Sequence, residues 1–227
     1  MDGLFVTGTG TEVGKTVVAA AIARTAAAAG LEVAVFKPAV SGLDDDGEAD
    51  HALLRRAAGS SQSDDEIAPY RYGPAVSPHL GAELAGEAID PPRLRSAAAE
   101  AGTGADLLVV EGVGGWLVPL TSDYLVRDFA RELGFSVVVA AAPGLGTINH
   151  TLLTVAAVRS AGLEVATVVL TPWPDSPSEL ERSNLAAIER LGGVSVETLP
   201  HLELSEPSTW PRLAPGDARR RRDDVPR

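Results

Sequence analysis

The residues best equipped for chemistry lie near the amino terminus, in Val6-Thr7-Gly8-Thr9-Gly10-Thr11-Glu12-Val13-Gly14-Lys15-Thr16. Gly8, Gly10 and Gly14 allow the backbone to turn so that successive N–H groups converge on an anion. A helix beginning at Lys15 would add its positive end beneath that anion. A lysine followed by a hydroxyl residue completes a phosphate-binding loop: Lys15 reaches terminal phosphates and Thr16 suits Mg²⁺. The common form, G-x-x-x-x-G-K-[ST], would put a glycine at Thr9; the nearest glycine is Gly8, so this loop is one residue longer. The expected nucleotide contacts are Glu12, Val13, Gly14, Lys15, Thr16 and Val17.

Two further stretches place charge at the ends of apolar runs. Leu107 to Val110 leads into Glu111-Gly112-Val113-Gly114-Gly115-Trp116. A carboxylate there, followed by glycines that permit close approach, suits a nucleotide-bound Mg²⁺ or its water, so Glu111 is a candidate metal ligand and Gly112, Val113 and Gly114 are candidate nucleotide contacts. A simple turn is the alternative. The run ending at Phe36 leads into Lys37-Pro38, and Pro38 keeps Lys37 extended. Of the basic residues 17 are arginine and only Lys15 and Lys37 are lysine, which suggests that these two positions need a compact ammonium. Lys37 and the Ser41 hydroxyl would then face one ligand, unless Lys37 is an ordinary surface lysine before a turn. Asp50, at the start of a helical pattern with Leu53 and Leu54, is either an inward-facing Mg²⁺ ligand or a helix cap.

Positioning these groups requires alternating strands and helices. Strands are expected at Leu4 to Val6, Glu32 to Phe36, Leu107 to Val110, Ser136 to Ala141, Glu164 to Leu170 and Ser195 to Leu199. Helices are expected at Lys15 to Ala29, Ala49 to Ala58, Pro92 to Ala101, Leu125 to Leu133, Asn149 to Ala161 and Ser178 to Leu191, with Gln62 to Glu66 a polar connection and a turn and helical segment from Ser77. The pattern predicts an α/β fold, a mostly parallel sheet with helices on both faces, of the phosphate-loop NTPase type. In such sheets ligands gather beyond the carboxyl ends of the strands. That directs attention to Gly146-Thr147-Ile148-Asn149-His150, where Thr147 or Asn149 would cap a helix whose free amides attract an anion. It also marks Thr171-Pro172 and Pro200-His201-Leu202 as borders for a nucleotide base. His79 has no sequence partner and reads as a lining or structural residue.

Residues 1–206 read as one domain and 207–227, with the run Arg219 to Arg222, as a poorly ordered tail. A net charge of −12 argues against nonspecific binding to nucleic acid or to an anionic membrane. The absence of cysteine removes disulfides, thiolate metal sites and cysteine nucleophiles. With neither a signal peptide nor a membrane-spanning run in the sequence, a cytoplasmic protein is expected.

Taken in order, the long phosphate loop, Lys37-Pro38 with Ser41-Gly42, Val110-Glu111-Gly112-Val113-Gly114-Gly115 and Gly146-Thr147-Ile148-Asn149-His150 resemble the dethiobiotin synthetase family over residues 3–206. The resemblance implies ATP-dependent closure of a ureido ring on 7,8-diaminopelargonate with CO₂ and Mg²⁺, by a homodimer. It further implies that Lys15 and the loop amides hold phosphates, that Thr16, Asp50 and Glu111 hold Mg²⁺, and that Lys37 stabilises charge on a carbamate and the γ-phosphate. Ser41 would position the carbamate or diamine. Gly146, Thr147, Ile148 and Asn149 would take the substrate's distal carboxylate from across the dimer. One departure stands out: many members carry Asn-Asp where this chain has Thr171-Pro172, and the lost amide should weaken adenine readout. Two other readings compete. A switch ATPase or GTPase would show a guanine-reading Asn-Lys-x-Asp or a membrane-binding amphipathic tail, and neither is present. An amide-forming synthetase would usually work with a glutaminase, whose usual cysteine nucleophile this chain lacks.

Overall fold

The computed structural model describes residues 2–215. Six strands, β1 (Asp2–Gly8), β2 (Val33–Phe36), β3 (Leu107–Glu111), β4 (Ser136–Ala141), β5 (Val165–Trp173) and β6 (Val196–Pro200), form one parallel sheet in the order β2-β3-β1-β4-β5-β6. Eight helices accompany them among the described residues: α1 (Lys15–Ala28), α2 (Asp50–Ala58), α3 (Asp64–Ile67), α4 (Pro78–Ala85), α5 (Pro91–Ala101), α6 (Val126–Leu133), α7 (Thr147–Ser160) and α8 (Glu179–Gly192). The fold class and all six expected strands are present.

Alternation along each strand divides the interior in two. Phe5, Phe36, Val110, Val139 and Leu170 pack with α5 to α8 on one face; Val6, Val109, Val138 and Val169 pack with α1 and α2 on the other. Because both faces are covered, the central strands are largely apolar, as is usual for parallel sheets. Helix α1 is buried almost all round, and its alanines let it lie close between the sheet and α2.

Four expectations are corrected. The polar stretch before Ile67 contains a single helical turn, α3, closed by a capping box in which Ser63 and Glu66 satisfy one another's backbone amides. Helix α7 starts at Thr147 rather than Asn149: Gly146, at φ 90°, is the N-cap, and neither Thr147 nor Asn149 caps it by a side chain. Strand β5 does not end at Leu170 but continues through Thr171 and Pro172 to Trp173, so these residues lie within the strand rather than beyond it. Nor is the carboxyl-terminal segment loose from residue 207. A turn of 3₁₀ helix (Pro207–Thr209) leads to Trp210 and Leu213, both buried against α1. The Trp210 indole donates to the Glu203 carbonyl (2.8 Å) and the Leu213 amide to Thr25 Oγ1 (2.9 Å). Isolated anchors of this kind leave no periodic trace in the sequence. The run Arg219 to Arg222 lies outside the described residues.

Candidate active site

Strand β1 delivers the phosphate loop and α1 receives it. Glu12 (φ 58°) and Gly14 (φ 84°) both lie in the left-handed region, and Gly14 is the N-cap of α1, with no side chain capping the helix. The first amides of α1 therefore stay available to an anion. Lys15 is 7% exposed, and its ammonium donates to the Gly10 carbonyl at 2.8 Å, inside its own loop. Burial lowers its pKa, the neighbouring Lys37 adding to that while Glu111 and Asp50 oppose it.

Three elements meet at Thr16. The Lys37 ammonium, 3% exposed, lies 2.5 Å from Asp50 Oδ2 and 2.6 Å from Glu111 Oε1, while Thr16 Oγ1 lies 3.0 Å from Asp50 Oδ1 and 2.9 Å from Glu111 Oε1. Lys37 is thus not an ordinary surface lysine. Asp50 is not a cap, since Ala49 holds that position, and Glu111 ends a buried strand in register with Val6. Burial opposes the Lys37 charge, but the two carboxylates outweigh it and raise the pKa. Burial pulls Asp50 upward and Lys37 overcomes it, so Asp50 is lowered. For Glu111, wholly buried, desolvation prevails over Lys37 and the pKa is raised.

This cluster suits a hard divalent cation. Thr16 has one hydroxyl proton and faces two carboxylate oxygens, so one of those close approaches carries no hydrogen bond. Glu111 Oε2 is buried with no partner. An all-oxygen set with spare lone pairs fits Mg²⁺.

The supports are local. Gln62 reaches the edge strand β2 with its amide, accepting from Val35 N (2.9 Å) and donating to Val35 O (3.1 Å), and so acts as a short extra strand beside the one that carries Lys37. Ser41 follows on a segment held against residues 70–74 by Val40 N to Tyr70 O (2.9 Å) and Gly42 N to Pro74 O (3.1 Å). Trp116 anchors the glycines after Glu111, edge-on to Phe5 with centroids 6.3 Å apart. Thr171 is buried with its methyl against Gly14: a Cβ there would come within 2.5 Å of Thr171 Cγ2. Pro172 is exposed.

Other candidates sit elsewhere. Leu202 packs into the core, His201 is exposed, and Pro200 pairs with Trp173. Gly146 and Asn149 are exposed and Ile148 half-buried at the corner between β4 and α7, which Asn184 of α8 holds by donating to the Pro143 and Gly144 carbonyls (2.9 and 3.1 Å). Thr147 is buried, its hydroxyl 3.3 Å from that of Thr151, so it does not face outward. No hydrogen bond among the described residues joins this corner to the Lys37 cluster. His79 is exposed and bonds Ser77 Oγ (3.0 Å), a local contact. Sequence reasoning missed a cavity of about 380 Å³ beside the phosphate loop, bounded by Gly8 to Thr11, Gly115 to Val118 and Leu153, Thr154 and Ala157 of α7.

A family model described as an AAA domain matches residues 2–212. An ATP-dependent dethiobiotin synthetase BioD of Bacillus thuringiensis (strain Al Hakam) is 41% identical over 86% of this chain and 81% of its own length. The chain belongs to the dethiobiotin synthetase family. The Bacillus subtilis subsp. natto dethiobiotin synthetase is 37% identical over 86% of this chain and 85% of its own. A ParA family ATPase from Chlorobium tepidum shares the fold alone, with a TM-score of 0.55 at 14% identity over 90% of this chain and 88% of its own. As a dethiobiotin synthetase family member the chain is an ATP-dependent ligase, and the phosphate loop is the part of the structure suited to ATP.

Proposed function

We propose that the protein carboxylates 7,8-diaminopelargonate with CO₂ and closes the ureido ring, giving dethiobiotin, ADP and phosphate. What supports this most is the Lys37 ammonium held between Asp50 and Glu111 at the edge of the phosphate loop. One neutral substrate amine adds to CO₂ and loses a proton, giving a carbamate. A carbamate oxygen then attacks the γ-phosphorus, the bond to the β-phosphate oxygen breaks, and ADP leaves. In the resulting carbamic–phosphoric anhydride the second amine attacks the carbonyl carbon, loses a proton and expels phosphate.

The chain's own work is charge neutralisation and alignment, the chief requirements of phosphoryl transfer. The α1 amides and Lys15 bind the β- and γ-phosphates. Lys37 balances charge on the carbamate and the transferring phosphoryl group, and Ser41 orients the carbamate or diamine. Thr16, Asp50 and Glu111 would hold Mg²⁺, which supplies further charge neutralisation on the phosphate oxygens when bound.

In this reading the enzyme works in the cytoplasm as a homodimer. Leu117, Leu145 and Leu153 are 57%, 91% and 61% exposed around the loop-side cavity and the α7 corner, apolar surface of the kind that a partner subunit covers. The exposed Gly146 and Asn149 would then serve the partner's site, binding the distal carboxylate of the diamine. The test is ADP release measured with and without diaminopelargonate and bicarbonate. Release that needs both supports ring closure, whereas release indifferent to both indicates a switch ATPase.

A further inference from the structure

The Lys37 ammonium and a divalent cation would neutralise the same two carboxylates. Each carboxylate gives the ammonium one oxygen, Asp50 Oδ2 and Glu111 Oε1, and the second of these is also the oxygen nearest Thr16. A metal ion held by Thr16, Asp50 and Glu111 would take its oxygens from those same two carboxylates. It would also stand beside a buried like charge that no water screens, since the Lys37 side chain is only 4% exposed. The lysine stem is flexible, with three rotatable donors, whereas its backbone is fixed by Pro38 and by Lys37 N donating to Ile67 O (2.8 Å). The head can move and the stem's origin cannot.

We propose that Lys37 is an internal stand-in for the metal: its ammonium neutralises Asp50 and Glu111 in the free protein and is released toward the substrate when a metal–nucleotide complex binds. This rests on the metal-site reading above and deepens it. Arrival of the divalent ion makes the ammonium redundant between the carboxylates, while the incoming phosphates and carbamate supply new anionic partners. Binding thereby acquires an order. The group that stabilises the carbamate is sequestered until the nucleotide that will phosphorylate it is in place.

The chain's lysine count makes the test unusually direct, because Lys15 and Lys37 are its only lysines. Mn²⁺ affinity is measured by electron paramagnetic resonance, first without nucleotide, for the wild-type protein, Lys37→Met and Lys15→Met. Removing a contacting cation should tighten Mn²⁺ by about tenfold or more, on the scale of the shifts that a neighbouring charge produces. Lys15→Met removes equal charge that does not touch the carboxylates and should change affinity by less than about threefold, the weaker effect of a more distant charge. Equal tightening in both variants, or none in Lys37→Met, overturns the proposal. In case Lys37→Met does not fold, trace acetylation of the wild-type protein with peptide mass analysis provides a second reading. Mg·ADP should protect Lys15 and make Lys37 more reactive, and protection of both overturns the proposal. The metal-site reading itself fails, and the proposal with it, if neither the wild-type protein nor a variant binds Mn²⁺ even with ADP present. Mn²⁺ binding without a Lys37 effect refutes the stand-in alone.

Discussion

The contact between Gly14 and Thr171 permits a prediction whose two components separate. Gly14→Ala must hold a side chain at φ 84° and bring its Cβ to 2.5 Å from Thr171 Cγ2. The left-handed conformation costs roughly 1–2 kcal/mol and overpacking about 1–3 kcal/mol, so the single variant should lose about 2–5 kcal/mol. Thr171→Ser removes Cγ2 and keeps the hydroxyl, and Thr171 Oγ1 is 3.9 Å from the same Cβ, an ordinary contact. Alone it should cost about 1 kcal/mol, for one buried methyl. Combined with Gly14→Ala it should restore the overpacking share, about 1–3 kcal/mol, and leave the backbone share in place. Urea unfolding of the parent, both single variants and the double variant closes the cycle, and Mg·ADP affinity should follow the same rank. Additivity within about 0.5 kcal/mol would show that Thr171 does not press on the loop.

Four other outcomes follow from the site and its supports. Lys37→Arg should lose ring closure nearly as completely as Lys37→Ala, because a planar guanidinium has a different shape and donor layout from the compact ammonium that must fit between the carbamate and the γ-phosphate; full activity of the arginine variant would refute the compact-charge role. Lys37→Met should be less stable by about 3 kcal/mol near pH 8, the low end for a broken buried pair because Asp50 is 40% exposed. Lys37 lowers both carboxyls, so without the ammonium both rise, and a carboxyl that rises in the folded state costs stability at higher pH, so the deficit should shrink as pH falls toward about 4. The parent's own Lys37 contribution, its pKa raised above 10.5, should persist until pH exceeds that value, and a deficit independent of pH would sink this account. CTP, GTP and UTP should support dethiobiotin formation within about tenfold of ATP, since Thr171 lacks a bidentate amide and Pro172 has no N–H; a preference for ATP beyond about a hundredfold in kcat/KM would mean that other groups read adenine. Leu213→Ala should lower Tm by about 6–12 °C, from a cost near 3 kcal/mol, with nucleotide affinity unchanged because Thr25 lies about 15 Å along α1 from Lys15. An unchanged Tm would mean that the segment does not dock.

The sheet and the loop were readable because their signals are local. A glycine pattern with Gly-Lys-Thr, an acid ending an apolar run and a lysine before proline each announce one position. Convergence of Lys37, Asp50, Glu111 and Thr16 on shared oxygens is a property of the sheet order, which sets β3 beside β1 and β2 beside β3. The sequence hinted at it through the rarity of lysine. What escaped was cooperative or solitary. The Gln62 amide against β2, the Asn184 clasp on the α7 corner and the anchors Trp210 and Leu213 are single side chains whose partners lie far away in sequence. Extension of β5 through Pro172 contradicts the usual meaning of proline, a strand breaker that is tolerated toward strand ends. Leu202, expected at the base, was claimed by the core because an apolar residue just past a strand has a buried face within reach.

The central place of β1 also bears on how the protein is made. Its neighbours in the sheet are β3, starting at Leu107, and β4, starting at Ser136, so this strand has no partner until β3 has been synthesised. At ribosomal speeds of about 5–20 residues per second, Leu4-Phe5-Val6 waits on the order of ten seconds as an unpaired apolar edge. Until β4 arrives there is no frame to hold the loop. ATP, however abundant, can rescue only chains that have already reached β4, and earlier nascent chains must rely on chaperones or on fast collapse of α1 and α2 to survive the interval.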